Sequence, residues 1–170
     1  MNLYGFANGD PVNFSDPFGL CVRAGNLTQS QGSDCERFAQ MVHALAKSSK
    51  TTEDFVRATG KMFAGFPGGK LTFTPGPVNR SLGLRGTGFR PEMNDLDNHP
   101  WRHASAFIVA GYDLGESAGV GLAVGWEAPF LSGASMADIR LGMDAVGLGA
   151  SLKKGWLTPA QAAEWIREYF

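Results

Sequence analysis

The segment SDCERFAQMVHALAK, residues 33–47, carries the clearest structural pattern in this sequence. Its first four residues form a capping box, in which Ser33 can accept a hydrogen bond from the amide of Glu36 while the Glu36 side chain bonds back. Apolar residues then recur at spacings of three and four, which places them on one face of a helix. They are Cys35, Phe38, Ala39, Val42, Leu45 and Ala46. The segment therefore predicts an amphipathic α-helix that packs against a core.

Further start signals for helices follow along the chain. Thr51 or Thr52 is a candidate N-cap of a second helix, and Ser135 is a candidate N-cap of a later one. Thr158 is a candidate N-cap of the last helix, since Pro159 follows it in the position where proline is favoured. Residues 103–114 are also compatible with a helix. The inward side of the helix after Ser135 is expected to carry Ile139, Gly142, Met143, Val146 and Gly149. Because no alternation of period two is sustained beyond the first twenty residues, we predict a mainly α domain of about five helices.

Residues 66–91 separate two groups of helices and contain too many glycines and prolines for a long regular element. We predict a long ordered loop there, and loops of this length in compact domains are usually functional. The loop is also locally basic, because it contains no Asp or Glu. Its cations are Lys70, Arg80, Arg85 and Arg90.

The whole chain has 170 residues, a formal charge of -1 and 44% hydrophobic residues. This length suits one domain with a full core. The near-zero charge gives no global attraction to nucleic acid or membrane. The start of the chain lacks the features of a secretory signal, and acidic residues interrupt the apolar stretch 104–131, so we expect a soluble protein without stable membrane insertion. Cys21 and Cys35 could form one disulfide, but two free thiols are the expected state.

The first twenty residues are rich in turn formers and predict a short strand and turn. The string NLYGFANGDPVNFSDPFGL, residues 2–20, resembles the end of the Rhs repeat-associated core almost position for position. The resemblance implies that residues 1–20 are a remnant of the Rhs β-shell, whose self-cleavage signature includes Asp16. It implies a cut between Leu20 and Cys21, which would release residues 21–170 as a C-terminal toxin domain of uncharacterised type.

Membership of the Rhs family implies further partners and a location. The toxin would be enclosed by the Rhs shell before release, and a cognate immunity protein would protect the producing cell. It would act as a secreted effector in competition between bacteria, most often after type VI secretion into a target cell. The resemblance leaves the chemistry of the toxin open, since such C-termini carry many different activities.

The densest set of reactive side chains is the segment NDLDNHPWRH, residues 94–103. One hypothesis is a thiol hydrolase, in which Cys35 at a helix start is the nucleophile and His103 takes its proton. Asp97 or Asn98 would orient the imidazole. The helix start Asp-Cys-x-x-Phe also resembles that of NlpC-like hydrolases. The alternative is that Cys35 is a small buried core residue.

A second hypothesis is a nuclease with acid and base or metal chemistry. The acid and base candidates are His99, His103, Asp95 and Asp97, and phosphate would be held by Arg80, Arg85, Arg90 and Arg102. The alternative for this segment is a helix cap, in which Asp97 or Asn98 caps, Pro100 occupies the first turn and His103 packs under Trp101.

A third class of function is membrane disruption by residues 104–131, and a fourth is a binding module without catalysis. The prediction that we carry forward is a hydrolase without cofactor or bound metal. Its predicted catalytic residues are His103, Asp97 and Cys35. Its predicted substrate-binding residues are Arg102, Asn98, His99, Arg90 and Arg85.

Overall fold

The structure is a computed structural model that describes residues 33–74, 76–93, 99–126 and 135–170. The predicted strand and turn of residues 1–20 lie outside these ranges, as do Asp16, Leu20 and Cys21. The boundary between residues 20 and 21 is therefore still a prediction from the sequence.

The described residues form six α-helices and a long loop between α2 and α3, and they contain no β-strand. This confirms the prediction of a mainly α domain. The helices are α1 (Asp34–Ser48), α2 (Thr52–Thr59), α3 (Pro100–Leu114), α4 (Glu116–Trp126), α5 (Met136–Lys154) and α6 (Ala162–Tyr169).

The first two helices begin at the caps that the sequence indicates. The Ser33 hydroxyl accepts a hydrogen bond from the amide of Glu36 at 3.3 Å, and the Thr51 hydroxyl accepts one from Asp54 at 3.0 Å. Helix α2 is followed directly by a π-helical turn, Gly60–Ala64, and this helical segment ends at Gly65. Gly65 has φ +75°, a left-handed conformation that glycine adopts without strain and that commonly ends helices.

Helices α3, α4 and α5 form a three-helix bundle in which glycines allow very close contact. A Cβ atom added to Gly111 of α3 would lie 2.2 Å from the carbonyl oxygen of Val146 in α5. One added to Gly149 of α5 would lie 2.0 Å from the carbonyl oxygen of Ile108, and one added to Gly119 of α4 would meet the Val146 side chain at 2.8 Å. Small residues therefore determine how near these backbones approach.

Two details of this bundle correct the sequence prediction. Helix α4 was not predicted as a separate element, so the domain has six α-helices within the described ranges where about five were expected. Gly115, at φ +85°, separates α4 from α3. Met143 was predicted to face inward, but its side chain is 43% exposed, because the inner face of α5 follows Leu141, Gly142 and Ala145.

The long loop between α2 and α3 is held to the helices along its length. The amide of Leu71 donates to Asp113 of α3 at 3.2 Å, and the amide of Gly76 donates to the carbonyl oxygen of Gly65 at 2.8 Å. Further on, the amides of Arg85 and Thr87 both donate to the carboxylate of Asp34 at 2.9 Å. The prediction of an ordered loop is therefore confirmed for its described part.

Helix α6 closes the domain against α1. The Arg167 guanidinium donates from Nε and Nη2 to the two carboxylate oxygens of Glu36, at 2.8 and 2.9 Å. Ile166 and Phe170 are fully buried beside this pair. Of the helices in the described ranges, none is both long enough and apolar enough to cross a bilayer.

Candidate functional site at the start of α3

The first turn of α3 brings together three of the predicted site residues. His99 is the N-cap residue and Pro100 is the first helical residue, where its missing amide hydrogen costs nothing. His99, Arg102 and His103 are spaced by three and four positions, so they share one side of the helix. Each of the three is half-buried. Their side chains therefore lie between the protein interior and the surface.

The imidazole of His103 is fixed between α3 and α5. Its Nε2 atom lies 2.8 Å from the backbone carbonyl oxygen of Asp138, and its ring packs against Phe107 with centroids 4.7 Å apart. A carbonyl oxygen can only accept, so Nε2 carries the hydrogen and donates it. Gly142 leaves the space for the ring, since a Cβ atom there would lie 3.2 Å from Nε2.

Burial controls the charge of this histidine. Desolvation lowers the pKa of His103 from 6.5 to about 4, although the hydrogen bond to the Asp138 carbonyl favours the charged form. The imidazole is therefore neutral near pH 7. With the hydrogen on Nε2, the Nδ1 atom has a free lone pair and can accept a proton.

Arg102 adds a positive charge to the same helical turn as His103. Its guanidinium donates from Nη2 to the carbonyl oxygen of Gly76 at 2.7 Å, and desolvation lowers its pKa. No carboxylate in the described ranges forms an ion pair with it. The first turn of α3 also contains no acidic residue, whereas the first turns of the other five α-helices each contain one or two. The described first turn of α3 therefore carries the positive charge of Arg102 and the positive end of the helix dipole, both of which favour a bound anion.

Aromatic stacking holds the side of the site next to His99. The His99 ring stacks on Trp101 with centroids 5.5 Å apart, and Trp101 in turn meets the edge of Phe63 at 6.4 Å. Trp101 is only 1% exposed. The predicted packing of His103 under Trp101 is corrected here, because His99 takes that place and His103 packs on Phe107. The cap residue is His99, not the predicted Asp97 or Asn98.

Cys35 does not provide the free thiol that the thiol-hydrolase hypothesis requires. Its side chain is 0% exposed, and its sulfur is disulfide-bonded. A disulfide sulfur has no proton for His103 to remove and no thiolate to attack a substrate. The expectation of a free thiol and the nucleophilic role of Cys35 are both corrected. Cys21, the other cysteine of the sequence, lies outside the described residues.

The remaining predicted residues are not all near one another. Asp97 and Asn98 lie outside the described ranges. Arg90 donates from its backbone amide to an oxygen of Phe170 at 2.6 Å and from its guanidinium to the carbonyl oxygen of Glu168. It also lies close enough to Asp144 to lower the pKa of that carboxyl, which burial raises more strongly.

Asp144 and Gly142 are two residues apart, about 200° around α5. Because Gly142 contacts His103, Arg90 lies on the opposite side of α5 from the imidazole. Arg85 is exposed and its backbone is held by Asp34 at the start of α1. The structure therefore keeps Arg102 and His103 in one helical turn of α3 and places Arg90 on another side of α5.

Sequence patterns did not reveal the partners that fix His103. The Asp138 carbonyl is a backbone atom, so no side-chain motif indicates it, and Phe107 looks like an ordinary core residue. Gly142 gave a partial signal, because a glycine on the inner face of a helix indicates a close neighbour. Within the described residues, no group of three or more His, Cys, Asp or Glu side chains is arranged to hold a metal ion.

Comparison of the chain with known protein families, with curated proteins and with solved structures found no match.

Proposed function

We propose that this chain is the C-terminal end of an Rhs polymorphic toxin, in which residues 21–170 form a hydrolase centred on His103. The family assignment is supported by the resemblance of residues 2–20 to the end of the Rhs core. The chemical assignment is supported by one observation: a half-buried neutral imidazole shares a helical turn with an arginine that has no acidic partner among the described residues.

His103 is proposed as the base that removes a proton from the attacking water. The water oxygen bonds to the scissile centre, the bond to the leaving group breaks, and the imidazolium returns the proton to the leaving group. The hydrogen bond from Nε2 to the Asp138 carbonyl fixes the tautomer, so Nδ1 is the atom that accepts the proton. A pKa of about 4 makes the free protein's imidazole a weak base near pH 7. An anionic substrate bound next to the ring would raise that pKa, because a nearby negative charge stabilises the imidazolium.

Arg102 is proposed to supply the contact for that anionic substrate. Its Nη2 atom binds Gly76, so the guanidinium is held in place while other N–H donors are left for a substrate oxygen. His99, stacked on Trp101, lies one turn before His103 on the same side of α3. Asp97 and Asn98 are retained as candidates for orienting the substrate or the imidazole.

The same proposal includes the partners that the family implies. The Rhs shell would enclose the domain before cleavage after Leu20, and an immunity protein would block the site in the producing cell. Delivery into the target cell by type VI secretion is part of the proposal. The compartment from which the expressed chain kills would identify where its substrate lies.

The test is inducible expression of the 170-residue chain in the cytoplasm or the periplasm of a sensitive bacterium. We expect killing from one compartment, reduced about 100-fold or more by His103→Gln, since a general base typically contributes that much. Glutamine can still donate to the Asp138 carbonyl, so His103→Gln separates chemistry from folding. Folding is verified by circular dichroism of the purified variant.

Unchanged killing by a folded His103→Gln protein would overturn the hydrolase proposal. If membrane depolarisation accompanied that killing, the membrane-disrupting alternative would replace it. A matched control is His43→Gln, which changes a half-buried histidine on α1 that has no part in the proposed site. We expect this control to kill like the unmodified chain.

A further inference from the structure

Three arginines surround a turn of the long loop next to the start of α1. Arg37 of α1 donates from Nη1 to the carbonyl oxygen of Gly83 at 3.0 Å and from Nη2 to that of Leu82 at 3.1 Å. Arg80 and Arg85 flank these two residues in the sequence, and both are exposed. We call Arg37, Arg80 and Arg85 the arginine surface.

The backbone beneath the arginine surface is held firmly. One oxygen of the Asp34 carboxylate accepts hydrogen bonds from the amides of Arg85 and Thr87 and from the Thr87 hydroxyl, each at 2.9 Å. The amide of Cys35 donates to the carbonyl oxygen of Thr87 at 3.0 Å. Because the backbone of Arg85 is bound to α1, its side chain leaves the surface from a fixed point.

The local charge is positive even with Asp34 included. Three arginines and one aspartate give +2, and Asp34 uses its other oxygen to bind Arg37 at 3.2 Å. Arg80 and Arg85 form no ion pair within the described residues. Two guanidinium groups are therefore available for an anion, on a chain whose total charge is -1.

The surroundings of these arginines favour a polyanion over a protein partner. Leu82 is half-buried and Leu84 is buried, and the described part of the loop from residue 76 to residue 93 has no exposed large hydrophobic side chain. Protein interfaces depend on buried aromatic or aliphatic anchors, whereas nucleic-acid interfaces are more polar and more positive. Arginine also matches phosphate oxygens with two parallel N–H donors.

We propose that the arginine surface binds the phosphate groups of a nucleic-acid strand. This inference rests on the proposed hydrolase function and names its substrate class as a phosphodiester. Under this proposal Arg102 at the start of α3 would contact the phosphate that is cleaved, and the arginine surface would hold another part of the same strand.

The test measures binding of a fluorescein-labelled single-stranded oligonucleotide to the whole chain by fluorescence anisotropy. The variant is the double charge reversal Arg80→Glu with Arg85→Glu. The matched control is Lys47→Glu with Lys50→Glu, which makes the same change of net charge at the other end of α1, about 20 Å away. All four residues are exposed, so neither variant disturbs the core.

We expect the arginine variant to bind at least 10-fold more weakly and the lysine control to bind within twofold of the unmodified chain. Loss of two phosphate contacts should also reduce the slope of log affinity against log salt by about 1.4. Equal weakening by both variants would overturn the inference, because net charge alone would explain it. Absence of oligonucleotide binding by the unmodified chain, or binding of only an acidic protein, would overturn it as well.

Oligonucleotide binding and bacterial killing are measured in separate assays, so failure of the nucleic-acid proposal can be distinguished from failure of the hydrolase proposal. If the oligonucleotide does not bind but His103→Gln abolishes killing, the hydrolase stands and the phosphodiester substrate is rejected. If the oligonucleotide binds through the arginines but His103→Gln still kills, the nucleic-acid surface stands and the catalytic proposal is rejected.

Discussion

At the scale of single residues, His103 has two properties that a sequence cannot provide. The sequence placed it among reactive side chains, but its tautomer depends on a backbone carbonyl 35 residues further along the chain. Its low pKa depends on burial between α3 and α5, which exists only after the helices pack. Cys35 shows the opposite case, because a helix-start position suggested reactivity, while burial and a disulfide remove it.

The histidine should make the stability of the domain depend on pH. Its folded pKa of about 4 is below its ordinary value of 6.5, so the folded protein binds fewer protons than the unfolded chain between these values. The stabilising contribution is fully present above pH 6.5 and is lost as the pH falls towards 4. We expect a loss of about 2 kcal/mol between pH 7.5 and 4.5.

Urea unfolding at the two pH values measures this loss. Because acidic residues such as Asp34 also affect acid stability, the relevant quantity is the difference between the unmodified chain and His103→Gln. The variant should lose about 2 kcal/mol less over the same interval. Equal losses in both proteins would show that the imidazole is not buried as described.

At the scale of helices, the sequence predicted the caps better than the contacts. Ser33, Thr51 and Ser135 each accept the expected backbone hydrogen bond, because capping depends only on residues three positions away. The end of α3 at Leu114 was predicted, but helix α4 was missed, because its three glycines, Gly119, Gly121 and Gly125, give it a low helix propensity. The outward position of Met143 was missed because it lies three positions before the buried Val146, a spacing that also occurs at the edge of the inner face of a helix.

Glycine substitutions test the close packing of α3 with α5. Gly149→Ala should destabilise the domain by about 3 kcal/mol, because the new Cβ would lie 2.0 Å from the carbonyl oxygen of Ile108 and the helices would have to separate. Gly121→Ala is the control, because nothing lies within 4 Å of that position in α4. Alanine there should stabilise the helix by up to about 1 kcal/mol.

Thermal and urea unfolding of the two variants measure these changes in stability. A Gly149→Ala protein as stable as the unmodified chain would contradict the backbone contact between α3 and α5. The Gly121→Ala result is independent of that contact and reports only on the helical state of α4.

At the scale of the whole molecule, the ion pair between Glu36 of α1 and Arg167 of α6 joins residues that are 131 positions apart in the sequence. The Glu36 side chain is only 8% exposed, and Arg167 binds both of its oxygens. Glu36 was predicted from its place in a capping box, so its role in closing the domain was not foreseen. A long-range pair of this kind has no local sequence signature.

Removal of the guanidinium should therefore weaken the whole domain. Arg167→Ala is expected to cost about 2 kcal/mol, because a mostly buried carboxylate loses the cation that binds it. Lys154→Ala is the control, since its pair with Glu116 at 3.1 Å is 40% and 58% exposed and should contribute less than about 1 kcal/mol. Urea unfolding measures the free energy of unfolding of both variants. Equal losses would contradict the larger stabilisation that we assign to the buried Glu36–Arg167 pair.

The contact between α1 and α6 also has a consequence for the order of folding. Helices α3, α4 and α5 follow one another closely in the chain, so their packing needs only short loops to close. Helix α6 emerges from the ribosome more than a hundred residues after helix α1. We expect the three-helix bundle to form first and α1 to dock last, which leaves the apolar stripe of α1 open to chaperones during synthesis.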